Sequence, residues 1–272
     1  MTVNFALPSN ELAPYIKRYW AMENSLDKGE KCVERIVPTG LPELSFYFSK
    51  RPKVLNNNRY ILDNVTLNGL QNDFYDLELT GDLSIFVIVF QPHGLTRFLK
   101  FPLFEISNRN IPLKHLIGQK GQDLEEKMAE AVTFHQRVNI VETYLLSLLN
   151  RDNDDFKFRR INHISKLIRQ THGIIGINQM ASEACLCRRQ FERIFAEQIG
   201  ISPKQYLKII RFQYALFQKQ QDADLDMIDL AYKCGYYDQS HFINDFKSLS
   251  GLTPNQCFAE NEVCSDFFSL EK

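Results

Sequence analysis

No stretch of about 18 consecutive apolar residues occurs in this 272-residue chain, the minimum for a helix that crosses a bilayer. Its start also lacks the basic-then-apolar profile of a secretory leader. Both absences make the cytoplasm the expected location and argue against a membrane partner. Histidine is sparse: only His93 and His115 fall between residues 1 and 130, too far apart to form a ligand-spaced cluster with a carboxylate. A Gly-rich phosphate loop, a nucleophile elbow and a plausible catalytic triad are missing as well. The cysteines, Cys32, Cys185, Cys187, Cys234, Cys257 and Cys264, show no paired framework, and Cys185-x-Cys187 is neither a ribbon nor a finger spacing. Small thiols are common core residues. No metal, no cofactor and no enzymatic chemistry are therefore expected.

What the chain does have is apolar content, 44% of its residues, enough for two ordinary cores. Its net charge of −1 hides an uneven distribution. Residues 156–258 carry 14 Lys and Arg against 9 Asp and Glu, residues 1–155 carry 17 against 20, and the tail from Ala259 carries 1 against 4. A basic module joined to a mildly acidic one suits a polyanion-binding domain with a separate partner. Charge alone is also compatible, as the lesser reading, with chance variation between halves.

The most informative feature is a duplication. Ala181 and Ala231, and Cys185 and Gly235, match at an offset of 50; Phe191 with Phe242, Phe195 with Phe246, Gly200 with Gly251, Ser202 with Thr253, Pro203 with Pro254 and Gln205 with Gln256 match at 51. The inserted residue falls in a turn, where insertion is tolerated. Each copy reads as an apolar helix, a tight turn and a second helix with aromatics four apart on its buried face. In the first, residues 179–184 support and 188–199 follow the turn 185–187. In the second, 227–234 support and 238–250 follow 235–237, with Asp238 suited to N-cap the helix. A long helix over 203–220, with Ser202 as cap and Pro203 at its first position, joins the copies. A further helix over 159–171, with Ile161, Ile164, Leu167 and Ile168 inward and Gly173 as its stop, packs under the first copy.

Ala181, Arg193-Ile194-Phe195, Gly200-Ile201-Ser202-Pro203, Arg211-Phe212 and Ala215 resemble the first half of the AraC/XylS family DNA-binding domain. Gly235-Tyr236-Tyr237-Asp238-Gln239-Ser240-His241-Phe242, Phe246-Lys247 and Gly251-Leu252-Thr253-Pro254 resemble the second half. The resemblance covers roughly residues 159–258. Cys185 and Cys187 depart from the family's more usual Gly and Ser, leaving the first helix with a weaker cap. The resemblance implies a bacterial-type transcription regulator whose two recognition helices enter consecutive major grooves of double-stranded DNA about 34 Å apart.

With Phe191, Ile194 and Phe195 inward, Arg189, Gln190, Glu192 and Arg193 are left to face the groove. Arg can bond guanine and Gln adenine through paired contacts, while Glu can accept from cytosine or hold Arg189 or Arg193 at helical spacing. The resemblance carries base contact onto Arg189, Glu192 and Arg193. In the second helix Gln239, Ser240, His241, Ile243 and Asn244 face the groove, and Asn244 stands where many relatives have arginine. Lys204, Lys208 and Lys247 are phosphate candidates, or simply a solvated face.

Before residue 92 the pattern is β-rich, with strands expected over 15–24, 31–37, 44–48, 65–70, 74–79 and 83–90. The last is almost continuously apolar, so both of its faces should be covered. Short helices at 94–101 and 112–117 and longer ones at 123–132 and 134–149 follow. The stripe Val138, Val141, Tyr144, Leu145 and Leu148 suits either packing on its own domain or a dimer seam. The fold class is thus α+β: a barrel or sandwich with trailing helices over 1–150, a polar linker at 151–158, the all-α double helix-turn-helix unit over 159–258, and an acidic tail over 259–272.

The family resemblance implies that the first domain is a cupin-like regulatory module, through its strand-rich start, Gly40-Leu41-Pro42-Glu43-Leu44, the turn Phe90-Gln91-Pro92 to Gly94 and the trailing helices. A barrel interior lined by Trp20, Phe46, Phe48, Phe86 and Phe90, with Arg35 and Glu43 nearby, would hold a small apolar effector, although such residues are more often plain core. RNA polymerase, a small-molecule effector and a second copy of the chain are partners left open. The competing reading is a ligand-binding or enzymatic cupin whose helical domain serves protein association. A third is thiol sensing through Cys185, Cys187 or Cys234.

Overall fold

The computed structural model describes residues 2–25, 30–56, 61–149 and 156–259. The polar stretch 150–155, which holds most of the expected linker, and the acidic tail from residue 260, with Cys264, lie outside the described residues.

Residues 2–112 build two antiparallel sheets. The larger has six strands in the order β1 (Thr2–Ala6), β2 (Ile16–Asn24), β8 (Leu83–Phe90), β4 (Glu43–Tyr47), β6 (Val65–Asn68) and β9 (Asn110–Pro112). The smaller runs β3 (Lys31–Ile36), β7 (Tyr75–Thr80) and β5 (Lys53–Val54). Strand β8 is central, pairing Trp20 with Val87 on one side and Phe46 with Phe86 on the other. Its continuous apolar run is explained by what covers it. Phe86, Ile88 and Phe90 point into one buried cluster, and Ile85, Val87 and Val89 into another, because successive side chains of a strand alternate between faces.

The first cluster is closed by two helices, α2 (Gln119–Glu130) and α3 (Phe134–Leu148), whose Leu124, Met128, Val141 and Leu145 lie in it. Helix α1 (Leu113–Ile117) leads into them. The α3 stripe therefore packs on its own domain. A capping box between Thr133 and Gln136 opens α3 and sets Phe134 against Phe86, ring centroids 5.7 Å apart.

The expected β-rich domain with trailing helices is present; of the two forms left open for it, barrel or sandwich, the barrel is not formed, because neither sheet closes on itself. With helices on one face and the second half of the chain on the other, the large sheet is covered without closure. Strands β1, β5 and β9 were not anticipated. The latter two are very short, and β1 is an edge strand whose Val3 and Phe5 are exposed, which leaves no burial alternation to read.

The second half is helical: α4 (Phe156–Gln170), α5 (Ile177–Glu183), α6 (Arg188–Ile199), α7 (Pro203–Gln221), α8 (Met227–Lys233), α9 (Gln239–Ser250) and α10 (Pro254–Ala259). Helix α4 already includes Phe156–Phe158, three residues expected in the linker. Ile161, Ile164 and Ile168 are fully buried, while Leu167 is half-buried. Ser202 caps α7 through Gln205 N–H, Pro203 sits at its start, and Gly200 and Gly251 end α6 and α9 in the left-handed region.

The two halves do not keep separate cores. Ile85, Val87, Val89 and Leu41 share one continuous buried cluster with Tyr206, Ile209 and Ile210 of α7 and the aromatics of α6 and α9. The Gln213 side-chain amide, fully buried, donates to the Pro38 carbonyl at 2.8 Å. An amide left unpaired there would cost about 1–3 kcal/mol, so this bond fixes register across the junction.

Candidate nucleic-acid interface

The helix-turn-helix pairs are α5–α6 and α8–α9, and both are built from the back outward. Phe191 and Phe195 stand 5.5 Å apart and are fully buried, as are Phe242 and Phe246, 5.7 Å apart. Tyr206 meets Phe195, and Phe212 meets Phe246, so α7 carries one aromatic contact to each recognition helix. Spacing of four residues puts each pair on one face.

That packing turns the other face outward. Arg189, Gln190 and Arg193 are exposed on α6, with Glu192 half-exposed beside them; Gln239, Ser240, His241 and Asn244 are exposed on α9. Each set occupies a single helix, and all eight residues occupy the N-terminal two-thirds of their helices. Ile243 differs from expectation: it is half-buried and packs against the core. Glu192 holds neither Arg189 nor Arg193. Its carboxylate accepts from Arg188 Nε at 2.9 Å, while Arg193 donates to Glu197 at 3.0 Å. Exposed pairs of this kind are worth a few tenths of a kcal/mol. Either arginine can therefore exchange its partner for a base edge or phosphate at little cost.

Lys204 and Lys247 are exposed. Lys208 is committed elsewhere, to Asp245 Oδ1 at 3.1 Å. Asp245 also faces Arg211 at 3.6 Å and His241 at 3.7 Å, and accepts from the Tyr236 hydroxyl at 3.3 Å. Arg211 lies over the Tyr236 ring at 4.6 Å. Burial and the nearby Asp245 carboxylate raise the Tyr236 hydroxyl above its ordinary range, partly offset by Arg211, so it stays a donor. This cluster, which ties α9 to α7, was not foreseen. Its signal was present in the four-residue step from His241 to Asp245 and the three-residue step from Lys208 to Arg211.

Both recognition helices are gripped at their C-terminal ends by the β-rich half. A Cβ on Gly200 would stand 3.1 Å from the Leu103 carbonyl oxygen, and one on Gly251 would stand 2.5 Å from the Phe74 ring. Arg35 donates to the Ser250 carbonyl at 3.2 Å while its other nitrogens hold Asp76 at 2.8 and 3.0 Å. Arg35 is thus a junction residue. Of the other residues expected around an effector, Phe46, Phe86 and Phe90 are buried on one face of the large sheet with Phe48 at its edge, and Trp20 lies on the opposite face. Glu43 is half-buried at the start of β4. The sheet itself therefore divides the set.

Cys185 and Cys187 are exposed at the first turn, and Cys234 is buried at the second. Burial pushes the Cys234 thiol up to about 12, which keeps it protonated and a poor nucleophile. Among the described residues no group of three or more His, Cys, Asp or Glu is placed to hold a metal ion, and no helix is long and apolar enough to cross a membrane.

Comparison with known proteins matches residues 180–260 to a family model described as "Helix-turn-helix domain", and residues 4–112 to one described as "Domain of unknown function (DUF6597)". An uncharacterized HTH-type transcriptional regulator of Haemophilus influenzae is 33% identical over 90 residues, 33% of this chain and 30% of that protein. The HTH-type transcriptional regulator MtrA of Neisseria gonorrhoeae is 28% identical over 158 residues, 53% of this chain and 51% of that protein. The chain thus spans about half the length, or less, of these curated relatives. Among solved structures, ToxT from Vibrio cholerae aligns with a TM-score of 0.46 at 11% identity, covering 89% of this chain and 98% of that one.

Proposed function

Taking as premise that residues 180–260 are a helix-turn-helix domain of the AraC/XylS type, we propose that this protein is a sequence-specific DNA-binding transcription regulator. The observation that carries the reading is the exposure of two matched helix faces. Arg189, Gln190 and Arg193 on α6, and Gln239, Ser240, His241 and Asn244 on α9, are free of the protein core while the aromatic backs of both helices are buried. A helix presenting its N-terminal side chains in this way fits a major groove. In this reading Arg189 and Arg193 read guanine, Gln190 and Gln239 read adenine, and Lys204 and Lys247 contact phosphate.

The two faces differ in sequence, so the half-site they read is asymmetric. The protein acts by binding and makes or breaks no bond. Its β-rich half touches the C-terminal end of each recognition helix, which supports a role in fixing their separation and in receiving a regulatory signal. A second copy of the chain and RNA polymerase are the protein partners this role implies.

A salt titration on duplex DNA tests the reading. With about six phosphates neutralised, log K should fall against log salt with a slope near −5. A flat response would favour a ligand-binding protein whose helices serve protein association.

A further inference from the structure

The two helix-turn-helix copies differ in length by one residue, and their hydrogen bonds show where it lies. Leu186 N–H donates to the Ala181 carbonyl at 2.9 Å, and Tyr236 N–H to the Ala231 carbonyl at 3.0 Å, so these two residues close equivalent turns. Cys187 and Asp238 are the N-cap residues of α6 and α9. In the first copy the N-cap follows Leu186 directly; in the second, Tyr237 stands between. Tyr237 is therefore the extra residue.

Its side chain lies outside the fold. At 90% exposure Tyr237 is the most exposed large hydrophobic residue among the described ones, whereas Leu186 and Tyr236 both pack on the core. The turn does not call for it either. Gly235 supplies the left-handed residue at φ 74° and Asp238 the cap, and turns otherwise favour Gly, Asn, Asp, Ser and Pro rather than an aromatic ring.

Its place relative to a duplex follows from how such units dock. The first helix crosses the DNA backbone and the second enters the major groove with its N-terminal residues, which leaves the turn between them at the lip of the groove, beside the phosphates. Tyr237 sits in that turn, ahead of the exposed Gln239 and Ser240. The Asp238 carboxylate is turned into the cap, accepting from His241 N–H at 2.7 Å. The two copies also differ in their anchors. Helix α6 carries Arg188, Arg189 and Arg193, while α9 has no Lys or Arg before Lys247. A phenol suits the front of such a helix, because a tyrosine hydroxyl bonds phosphate oxygens and its ring offers contact area at little cost in conformational freedom.

We propose that Tyr237 is a sugar-phosphate contact of the second helix-turn-helix unit: its hydroxyl donates to a phosphate oxygen and its ring covers the adjoining deoxyribose. The contact is uncharged, so it adds affinity on any sequence and releases no counterion. It holds the front of the recognition helix that lacks arginine. This role rests on the protein's being a DNA-binding regulator.

The test compares the full chain with Tyr237→Phe and Tyr237→Ala, titrating a duplex that the parent protein enriches from a random pool, and a scrambled duplex, over a range of salt. Loss of one neutral hydrogen bond should weaken binding about 3–10-fold in Tyr237→Phe. Tyr237→Ala, which also loses the ring, should weaken it about tenfold or more. Both losses should be equal on the two duplexes and keep the parent's salt slope, whereas a lost cation contact would reduce that slope by about 1. Thermal midpoints should match the parent's, because the side chain is exposed. Full affinity in Tyr237→Ala while the parent binds overturns the contact and leaves the regulator reading standing. A loss confined to the enriched duplex makes Tyr237 a base reader, and a loss in Tyr237→Ala that Tyr237→Phe does not share removes the phosphate bond; either overturns the proposal. Failure of the parent to enrich or bind any duplex removes the regulator reading, and this role with it.

Discussion

The two helix-turn-helix copies share a plan and differ in how well each is finished. In the second, the turn residue with positive φ is Gly235 at 74°; in the first it is Cys185 at 53°, a conformation that costs an L-residue about 1–2 kcal/mol. Asp238 caps α9 by accepting from His241 N–H at 2.7 Å, whereas Cys187 at the start of α6 offers no side-chain cap. The outward faces are weighted oppositely. Helix α6 presents Arg189 and Arg193, while α9 presents neutral Gln239, Ser240 and Asn244 with His241. The copy with the locally strained turn thus carries the stronger charge. The other is held by its cap, the Asp245 cluster and Arg35.

The buried backs should behave as equals. Phe191→Ala and Phe242→Ala should each destabilise the protein by about 3–5 kcal/mol in chemical denaturation; a much smaller loss in one copy would mean that its core is not equivalent. The outward faces should behave as unequals. Arg193→Ala should weaken specific DNA binding by about 1–3 kcal/mol and relax one base position in a selection from random duplexes, and Asn244→Ala should cost less. A uniform loss on all sequences would turn Arg193 into a phosphate contact.

Repairing the first copy should yield smaller effects of opposite sign. Replacing Cys187 by Asp supplies the missing cap and should stabilise by about 0.5–1 kcal/mol. Cys185→Gly removes the left-handed strain but adds about 0.4–1 kcal/mol of unfolded-chain freedom, for a net gain of about 0.5–1 kcal/mol in the same denaturation measurement. Neither should alter DNA binding, and a loss in Cys185→Gly would revive a role for that exposed thiol.

The helical half was largely legible in the sequence. Its turns, its Ser202 and Asp238 caps, its stops at Gly200 and Gly251 and its buried aromatics are local features, each set by residues within about four positions of one another. The β-rich half was legible only in part. The strands expected over 83–90 and 44–48 reflect continuous or alternating apolar character and appear as β8 and β4. Yet Trp20 and Phe46 were grouped in one interior and fall on opposite faces, because pairing partners and sheet closure are set by contacts distant in the chain. Among the site residues, Lys208 looked like any basic residue on a helix. Only the approach of Asp245 on a different helix commits it.

By itself the sequence determined that two matching helix-turn-helix units exist, roughly where each begins and ends, and, Ile243 excepted, which side chains of the recognition helices turn away from the core. Capping, helical period and left-handed glycines act over a single turn of chain, so they survive reading one residue at a time. The tertiary structure alone decided that the two halves share a core across Gln213 and Pro38, and that Arg35 and Leu103 reach the ends of the recognition helices. It also decided that Asp245 of α9 gathers Lys208, Arg211 and Tyr236. Those contacts join residues separated by about a hundred positions or more in several cases, and nothing short of the folded chain brings them within reach.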